Sequence, residues 1–266
     1  MIVPKDKPGL LDIYQAIQKI SLPLYLANSD IRQRYRRSTL GPFWITISTG
    51  IMIATIGVIF GKLFKSPMSE FLPFLSVGLI LWAFISSVIS DSTNVFVNAV
   101  GIIRQLPIPL FTHVIRMCSG NLIILGHNLL ILPIVYCYVG KGVTWNFFYF
   151  FPGLIILIAN LLWISLMLGI ICTRFRDLTQ IVNSFLQILF YVTPIIWLPS
   201  LLPARADILL LDPNPLYHLI EVVRAPLLGG VPTPLDWTYT VLLAIGGWCL
   251  TVKFFNVYRD RVPYWL

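Results

Sequence analysis

The side chains able to do chemistry are few in this chain, and they lie far apart. Cys118, Cys137, Cys172 and Cys249 lack metal-type spacing and sit in or beside apolar stretches, where they read as small packing residues. His113, His127 and His218 have no second ligand nearby in sequence, which argues against a metal site. No HExxH or GxSxG pattern occurs, and no apolar stretch holds a pair of carboxylates. The expectation is therefore a chain with no catalytic residue, no metal and no cofactor of its own. Asp91, the one acid close to an apolar stretch, stands 20 residues after Phe71, about one bilayer core along a helix. It reads as an acid at the membrane surface, with a proton or ion relay as the alternative.

A nucleotide site would need a phosphate loop. Gly57-Val58-Ile59-Phe60-Gly61-Lys62-Leu63 is the nearest text, but its spacing is wrong and it lacks the hydroxyl residue. Gly57 and Gly61 read instead as a small-xxx-small packing face. Work driven by ATP would have to borrow a separate ATPase. In Arg104-Gln105-Leu106-Pro107-Ile108-Pro109-Leu110, a short apolar helix start is halted by two prolines. That makes either a rigid apolar knob outside lipid or a tight loop. Arg174-Phe175-Arg176-Asp177 is short and basic and reads as an inside anchor.

These residues must be positioned by elements whose solvent is lipid. Runs without Asp, Glu, Lys or Arg cover Gly41–Gly61, Phe71–Ser90, Met117–Gly140, Gly142–Thr173 and Leu178–Ala204, and Trp237–Tyr258 is broken only by Lys253. About 20 apolar residues suffice for a spanning helix, so each run predicts one. The 57% hydrophobic and 11% charged composition agrees, because a soluble domain of this size cannot be nearly all core. The fold class expected is an all-α membrane protein with six transmembrane helices. An amphipathic interface helix would precede them, and short re-entrant helices would lie before the last span.

Lys and Arg set the orientation. Fourteen fall on the side holding both termini and five on the other, which predicts cytoplasmic termini. The net charge of +8 then reflects topology and anionic headgroups rather than nucleic acid. Met1–Gly9 is polar and has no signal-peptide pattern, so the first apolar helix is expected to direct insertion. Leu10, Ile13, Tyr14, Ile17, Ile20 and Leu24 recur at helical spacing opposite Asp12, Gln15, Gln18 and Lys19. This predicts an interfacial helix over Leu10–Tyr25. After Pro23, Ser29 or Asp30 is expected to start a second short helix, Ile31–Ser38, whose Arg32, Arg34, Arg36 and Arg37 face headgroups. That cluster reads as a stop against translocation or as lipid recognition.

Arg34-Tyr35-Arg36-Arg37-Ser38-Thr39-Leu40-Gly41-Pro42-Phe43-Trp44, the Arg104–Pro109 segment, Arg174-Phe175-Arg176-Asp177 and Val262-Pro263-Tyr264-Trp265-Leu266 occur together in this order. In this the chain resembles the membrane subunit of type-two ATP-binding-cassette polysaccharide exporters, most closely the O-antigen, capsule and teichoic-acid export permeases. The resemblance implies a homodimer in the bacterial inner membrane, joined to two copies of a separate ATPase that holds ATP and Mg. It also implies export of an undecaprenyl-linked glycan. By the same resemblance, Arg104–Leu110 is an ATPase-coupling helix beside the interface helix, and Arg34, Arg36, Arg37, Arg174, Arg176 and Asp177 lie at the cytoplasmic interface.

The resemblance divides the chain into a cytoplasmic segment (1–38), a transmembrane domain (39–258) and a cytoplasmic tail (259–266). Within the transmembrane domain lie a coupling segment (98–113) and a periplasmic gate region (198–236). The proline-rich stretch Trp197–Asp236 contains apolar runs too short to span, Ile208–Leu211 and Leu216–Val223. Pro203, Leu216, Tyr217, Glu221 and Arg224 are its candidate gate residues. Glu221 and Arg224, three apart, predict a local helix pair. A glycan path calls for aromatic faces, for which Phe43, Trp44, Phe60, Trp82, Phe84, Phe185, Phe190, Tyr191 and Trp197 are candidates. The same residues fit headgroup belts and lipid-facing packing. An exporter of drugs or lipids, a secondary transporter and an intramembrane glycolipid enzyme are the rival classes. The last two would need paired charges, repeats or a polar cluster that the sequence does not display.

Overall fold

The computed structural model describes residues 8–36, 41, 43–63, 67–201 and 210–266. Among them the chain is helical, with no strand. Helices α1 (Pro8–Gln18) and α2 (Ser21–Arg34) precede α3 (Phe43–Leu63) and α4 (Met68–Ser92). A short α5 (Val100–Gln105) leads to α6 (Phe111–Leu129) and α7 (Ile131–Val139). A 3-10 turn, Trp145–Tyr149, opens α8 (Phe150–Arg174), which is followed by α9 (Leu178–Val192), α10 (Pro215–Leu227), α11 (Pro234–Tyr258) and α12 (Val262–Trp265).

Five helical stretches among the described residues are long and apolar enough to cross a membrane: Phe43–Leu63, Met68–Ser92, Phe111–Val139, Trp145–Arg174 and Pro234–Trp265. The apolar run expected over Leu178–Ala204 instead yields α9, whose 15 residues reach about 22 Å, short of a hydrocarbon core of about 30 Å. Pro194 explains the stop. It offers no N–H to the helix and forces Thr193 into extended backbone, at ψ 135°. The boundary predicted between Tyr25 and Ile31, after Pro23, also moves. The break lies at Lys19–Ile20, and Pro23 sits in the first turn of α2, where its missing N–H leaves no bond unmade. Asp30 and Ile31 accordingly lie within α2 rather than at the start of a separate helix. The third span is interrupted at Leu130, between α6 and α7 and three residues before Pro133.

Helix α4 is the central post, with 17 of its 25 residues buried. Helix α3 lies against it through Gly57 and Gly61, where an added Cβ would fall 2.8 Å from Leu72 and 2.6 Å from Met68. Helix α11 runs along α8, where Trp248 Nε1 donates to the Ala159 carbonyl (3.0 Å) and Asn160 Nδ2 to the Thr240 carbonyl (3.1 Å). The starts of α10 and α11 are capped. Asn214 accepts from the Leu216 and Tyr217 amides, and Thr233 and Asp236 form a capping box, with Pro at the first helical position of both. One apolar cluster fills the body around α4, and a second, including Ile13, Phe96, Phe111, Ile170 and Phe255, fills the end where α1 meets the close of α11, here called the basal end.

Gly153 on α8 is where α10 approaches most closely, since a Cβ there would lie 2.5 Å from the Val222 carbonyl oxygen. Gly153→Ala is expected to destabilise the protein by about 1–3 kcal/mol through this backbone clash. Gly50→Ala, with nothing within 4 Å of its Cβ, serves as the neutral control. Thermal stability of the detergent-solubilised protein checks the pair, and equal melting of both variants would refute the packing.

Candidate functional site

The basal end is built around α5. None of its residues is buried, and Leu106, just beyond it, is 52% exposed. Arg104, Gln105 and Pro107 are also exposed, Ile108 and Pro109 are half-buried, and Leu110 turns inward. The segment is held at its exit by Asp12, which is 1% exposed. Its carboxylate accepts the Leu110 and Phe111 amides at 3.0 and 2.9 Å, capping α6 from a different helix, and accepts Arg259 Nε at 3.1 Å. Burial pushes the Asp12 carboxyl above its usual range, opposed by the Phe111 and Leu110 amides and then by Arg259. Helix α1 is itself tied to α11, because Asn256 Oδ1 accepts the Gly9 and Leu10 amides at 2.9 and 3.2 Å. The N-terminal helix, the exit of the knob and the end of the last span thus form one hydrogen-bonded ring.

Helix α2 adds a second brace. Arg116 on α6 makes a two-pronged bond to Asp30, both contacts at 2.5 Å. Beside it lies a cleft of about 230 Å³ whose wall includes Arg34, Asp91, His113 and Asn121. Asp91 sits at the exposed end of α4 and accepts Asn121 Nδ2 at 2.9 Å, while Ser90 donates to Asn183 Oδ1 on α9 at 2.8 Å. On α1 and early α2, Tyr14, Ile17, Ile20, Leu24 and Tyr25 are exposed while Gly9, Asp12, Ile13 and Ala16 are buried. Most of the apolar stripe therefore faces outward while Ile13 turns inward, and Asp12, expected among the exposed polar residues, points into the protein.

The aromatic candidates fall into two groups. Phe43, Trp44, Phe185 and Tyr191 are exposed on α3 and α9. Phe84 and Trp82 are buried in the body, Phe60 and Phe190 pack on its margin, and the Trp82 and Phe190 ring centroids lie 5.7 Å apart. Trp197 donates to the Tyr191 carbonyl at 3.1 Å.

At the opposite end, Arg224 on α10 is 0% exposed. Nη1 donates to the Pro194 carbonyl at 2.6 Å, Nε and Nη2 donate to Glu221 Oε2 at 2.8 and 2.6 Å, and the guanidinium lies 4.2 Å from the Phe74 ring centroid. The expected helix pair is thus part of a larger clamp that joins α10, the broken end of α9 and α4. Leu216 is buried, Tyr217 is half-buried, and His218 bridges the Asp236 carboxylate (2.7 Å) and the Asp212 carbonyl (2.9 Å).

Arg34, Arg36, Arg174, Arg176 and Asp177 are exposed, all at or just beyond helix ends. Arg37 and Pro203 lie outside the described residues. The four cysteines are free thiols, and no cluster of His, Cys, Asp or Glu suited to a metal occurs among the described residues. Asp12, Asp30 and Arg116 escape sequence reading because their partners are 86 to 247 positions away. The only local signal was an acid within one turn of apolar Ile13.

Residues 24–228 match the ABC-2 type transporter family. The chain is similar to an O-antigen export system permease protein RfbA of Klebsiella pneumoniae, 26% identical over 239 residues, covering 87% of this chain and 88% of the relative. A Myxococcus xanthus protein of the same name is 24% identical over 217 residues, covering 80% and 82%. A second from Klebsiella pneumoniae is 24% identical over 243 residues, covering 90% and 91%.

Asp12→Ala leaves two buried amides without an acceptor, and is expected to cost about 3–5 kcal/mol, as for other broken buried pairs. Arg224→Lys cannot reproduce the forked contact to Pro194 and Glu221 or the stacking on Phe74, and a loss of similar sign is expected. Thermal melting in detergent reads both, and a change within about 0.5 kcal/mol, the range for featureless surface sites, would contradict the assigned bonds.

Proposed function

The chain belongs to the ABC-2 type transporter family, and from that premise we propose that it is the channel-forming permease subunit of an ATP-driven polysaccharide exporter. Its cargo is an undecaprenyl-linked polysaccharide of O-antigen type, moved across the bacterial inner membrane. The observation that carries this reading is similarity over 80–90% of the chain to proteins named as O-antigen export permeases.

In this reading two copies of the chain enclose the path and two copies of a separate ATPase, holding ATP and Mg, supply the energy. Both termini are cytoplasmic, so α5 projects toward the ATPase. The exposed Leu106 side chain would enter an apolar cleft there, and Pro107 and Pro109 fix its exit angle. Asp12 and Arg116 make the knob stiff, so that closure of the ATPase dimer displaces α6, α1 and α11 together rather than bending a loop. Helix α9, with the bent stretch Thr193–Leu198 beyond it, counts as the sixth crossing, and its exposed aromatics with those of α3 face the glycan path. Sugar C–H faces pack on such rings. The stripe of Tyr14, Ile17, Ile20 and Leu24 lies in the cytoplasmic leaflet. The clamp around Arg224 closes the periplasmic exit.

Deleting the gene in its host is expected to remove the surface glycan while lipid-linked glycan accumulates inside, both read on gels. Loss without accumulation would favour an enzyme that makes the glycan, and normal surface glycan in a host without a redundant exporter would refute the cargo. Leu106→Asp is expected to preserve insertion and expression but abolish export, because it places a charge in an apolar cleft. Export at the native rate from that variant would sink the coupling role of α5.

A further inference from the structure

Where α8 and α11 end at the base lies a cleft of about 660 Å³, whose lining includes Ile170, Ile171, Arg174, Phe254, Tyr258 and Arg261 together with Trp265. Its polarity is graded. Ile170 and Ile171 lie three to four residues before Arg174, and Phe254 lies four before Tyr258, so the apolar wall is about 5–6 Å deeper along each helix than the basic rim. The rim is ordered by aromatic rings. The Arg174 guanidinium lies 5.4 Å from the Trp265 ring, that ring lies 5.9 Å from Tyr258, and the Arg261 guanidinium lies 5.5 Å from Tyr258.

Both guanidiniums lack a carboxylate partner and a hydrogen-bond acceptor among the described residues. Their neighbour Arg259 is different, since Asp12 and Asp260 occupy it. Arginine held on a ring keeps its outward N–H fork free, and that fork matches phosphate oxygens in pairs. An apolar floor reaching into the membrane beneath two such forks fits a molecule with a hydrocarbon tail and an anionic phosphate head. A protein partner would not need the deeper Ile and Phe wall.

We propose that this cleft binds an anionic phospholipid of the inner leaflet. The phosphodiester sits between Arg174 and Arg261, and an acyl chain lies along Ile170, Ile171 and Phe254. The assignment rests on the orientation proposed above, which puts the basal end at the anionic leaflet. Occupancy would fasten the tip of α8 to α12, which lies beside α5, and so make the lipid part of the base on which the knob moves.

The test is native mass spectrometry of the permease–ATPase complex in neutral detergent, titrated with dioleoyl phosphatidylglycerol and, separately, with phosphatidylcholine of the same chains. Wild type is expected to retain phosphatidylglycerol selectively, and R174Q/R261Q to bind it about thirtyfold more weakly, from two arginines at the usual contribution of each near a membrane surface. R174K/R261K, which keeps the charge, should recover much of the binding, and Tyr258→Ala tests the aromatic wall should the double variant not fold. Equal retention by wild type and R174Q/R261Q would overturn the site. Displacement of phosphatidylglycerol by an equimolar polyprenyl pyrophosphate would reassign it to the cargo lipid, and retention only in the permease without its ATPase would reassign it to the protein interface. Because binding is read without transport, failure here leaves the export reading standing, and failed export leaves this result intact.

Discussion

Helix α4 is shielded from lipid along most of its length, and that burial is the constraint on which the other elements depend. A spanning helix surrounded by protein must be covered on every side, so α3, α6, α8, α9 and α10 each owe part of their position to it. Its 25 residues run about 37 Å, enough to connect the two ends of the protein. Near one end, Phe74 lies under the Arg224 guanidinium and Gly78 lets the Ile195 backbone come close. Near the other, Ser90 and Asp91 bond to α9 and α6. The outer clamp and the basal ring are therefore fixed to one rod, and in the proposed exporter a displacement of the base cannot leave the exit unaffected.

The basal ring has a property that an apolar contact would lack. Asp12 accepts hydrogen bonds from the first amides of α6 and from Arg259 at the end of α11, so it holds two helix ends in a fixed direction. Asn256 returns the favour to α1, so neither helix can turn without breaking bonds to the other. Helix α5 thus leaves Leu106 exposed while Ile103 packs on the second apolar cluster and Asp12 grips the exit of the segment.

Much of this architecture is legible in the sequence because it is local. Apolar runs reveal the long helices, and Gly57 and Gly61 reveal a close approach. The Asn214-Pro215 and Thr233-Pro234 helix starts are equally local, yet it is the structure that brings them out. Prolines are legible as breaks, though their effect depends on position. Pro23 falls in a first turn and is harmless, while Pro194 ends α9 inside an unbroken apolar run. What sequence cannot display is the long-range pairing of single polar groups. Asp12 has the helical phase of a surface acid, and Arg224 looks like half of an i,i+3 pair, until the fold brings Leu110 to one and Pro194 to the other. The candidate site is least legible of all, because its residues act at distances of tens to hundreds of positions.

The stretch after α9 tests whether a broken span is tolerable in a bilayer, where every unpaired backbone group is costly. Several groups at the break have partners. The Pro194 carbonyl takes Arg224, the Ile195 amide bonds to the Thr193 carbonyl, and the Thr193 hydroxyl accepts Asn214 Nδ2. Ile195 itself is buried against α4. A guanidinium buried at this level would be prohibitive alone, yet here Nη1 answers the Pro194 carbonyl that the break exposes, and Nε and Nη2 bond to Glu221, which balances its charge. Each defect removes the cost of the other. That reciprocity explains why a shortened helix, an internal arginine and a proline occur together, and why the exit proposed at this place can be closed by a few directional bonds rather than by a plug of apolar side chains.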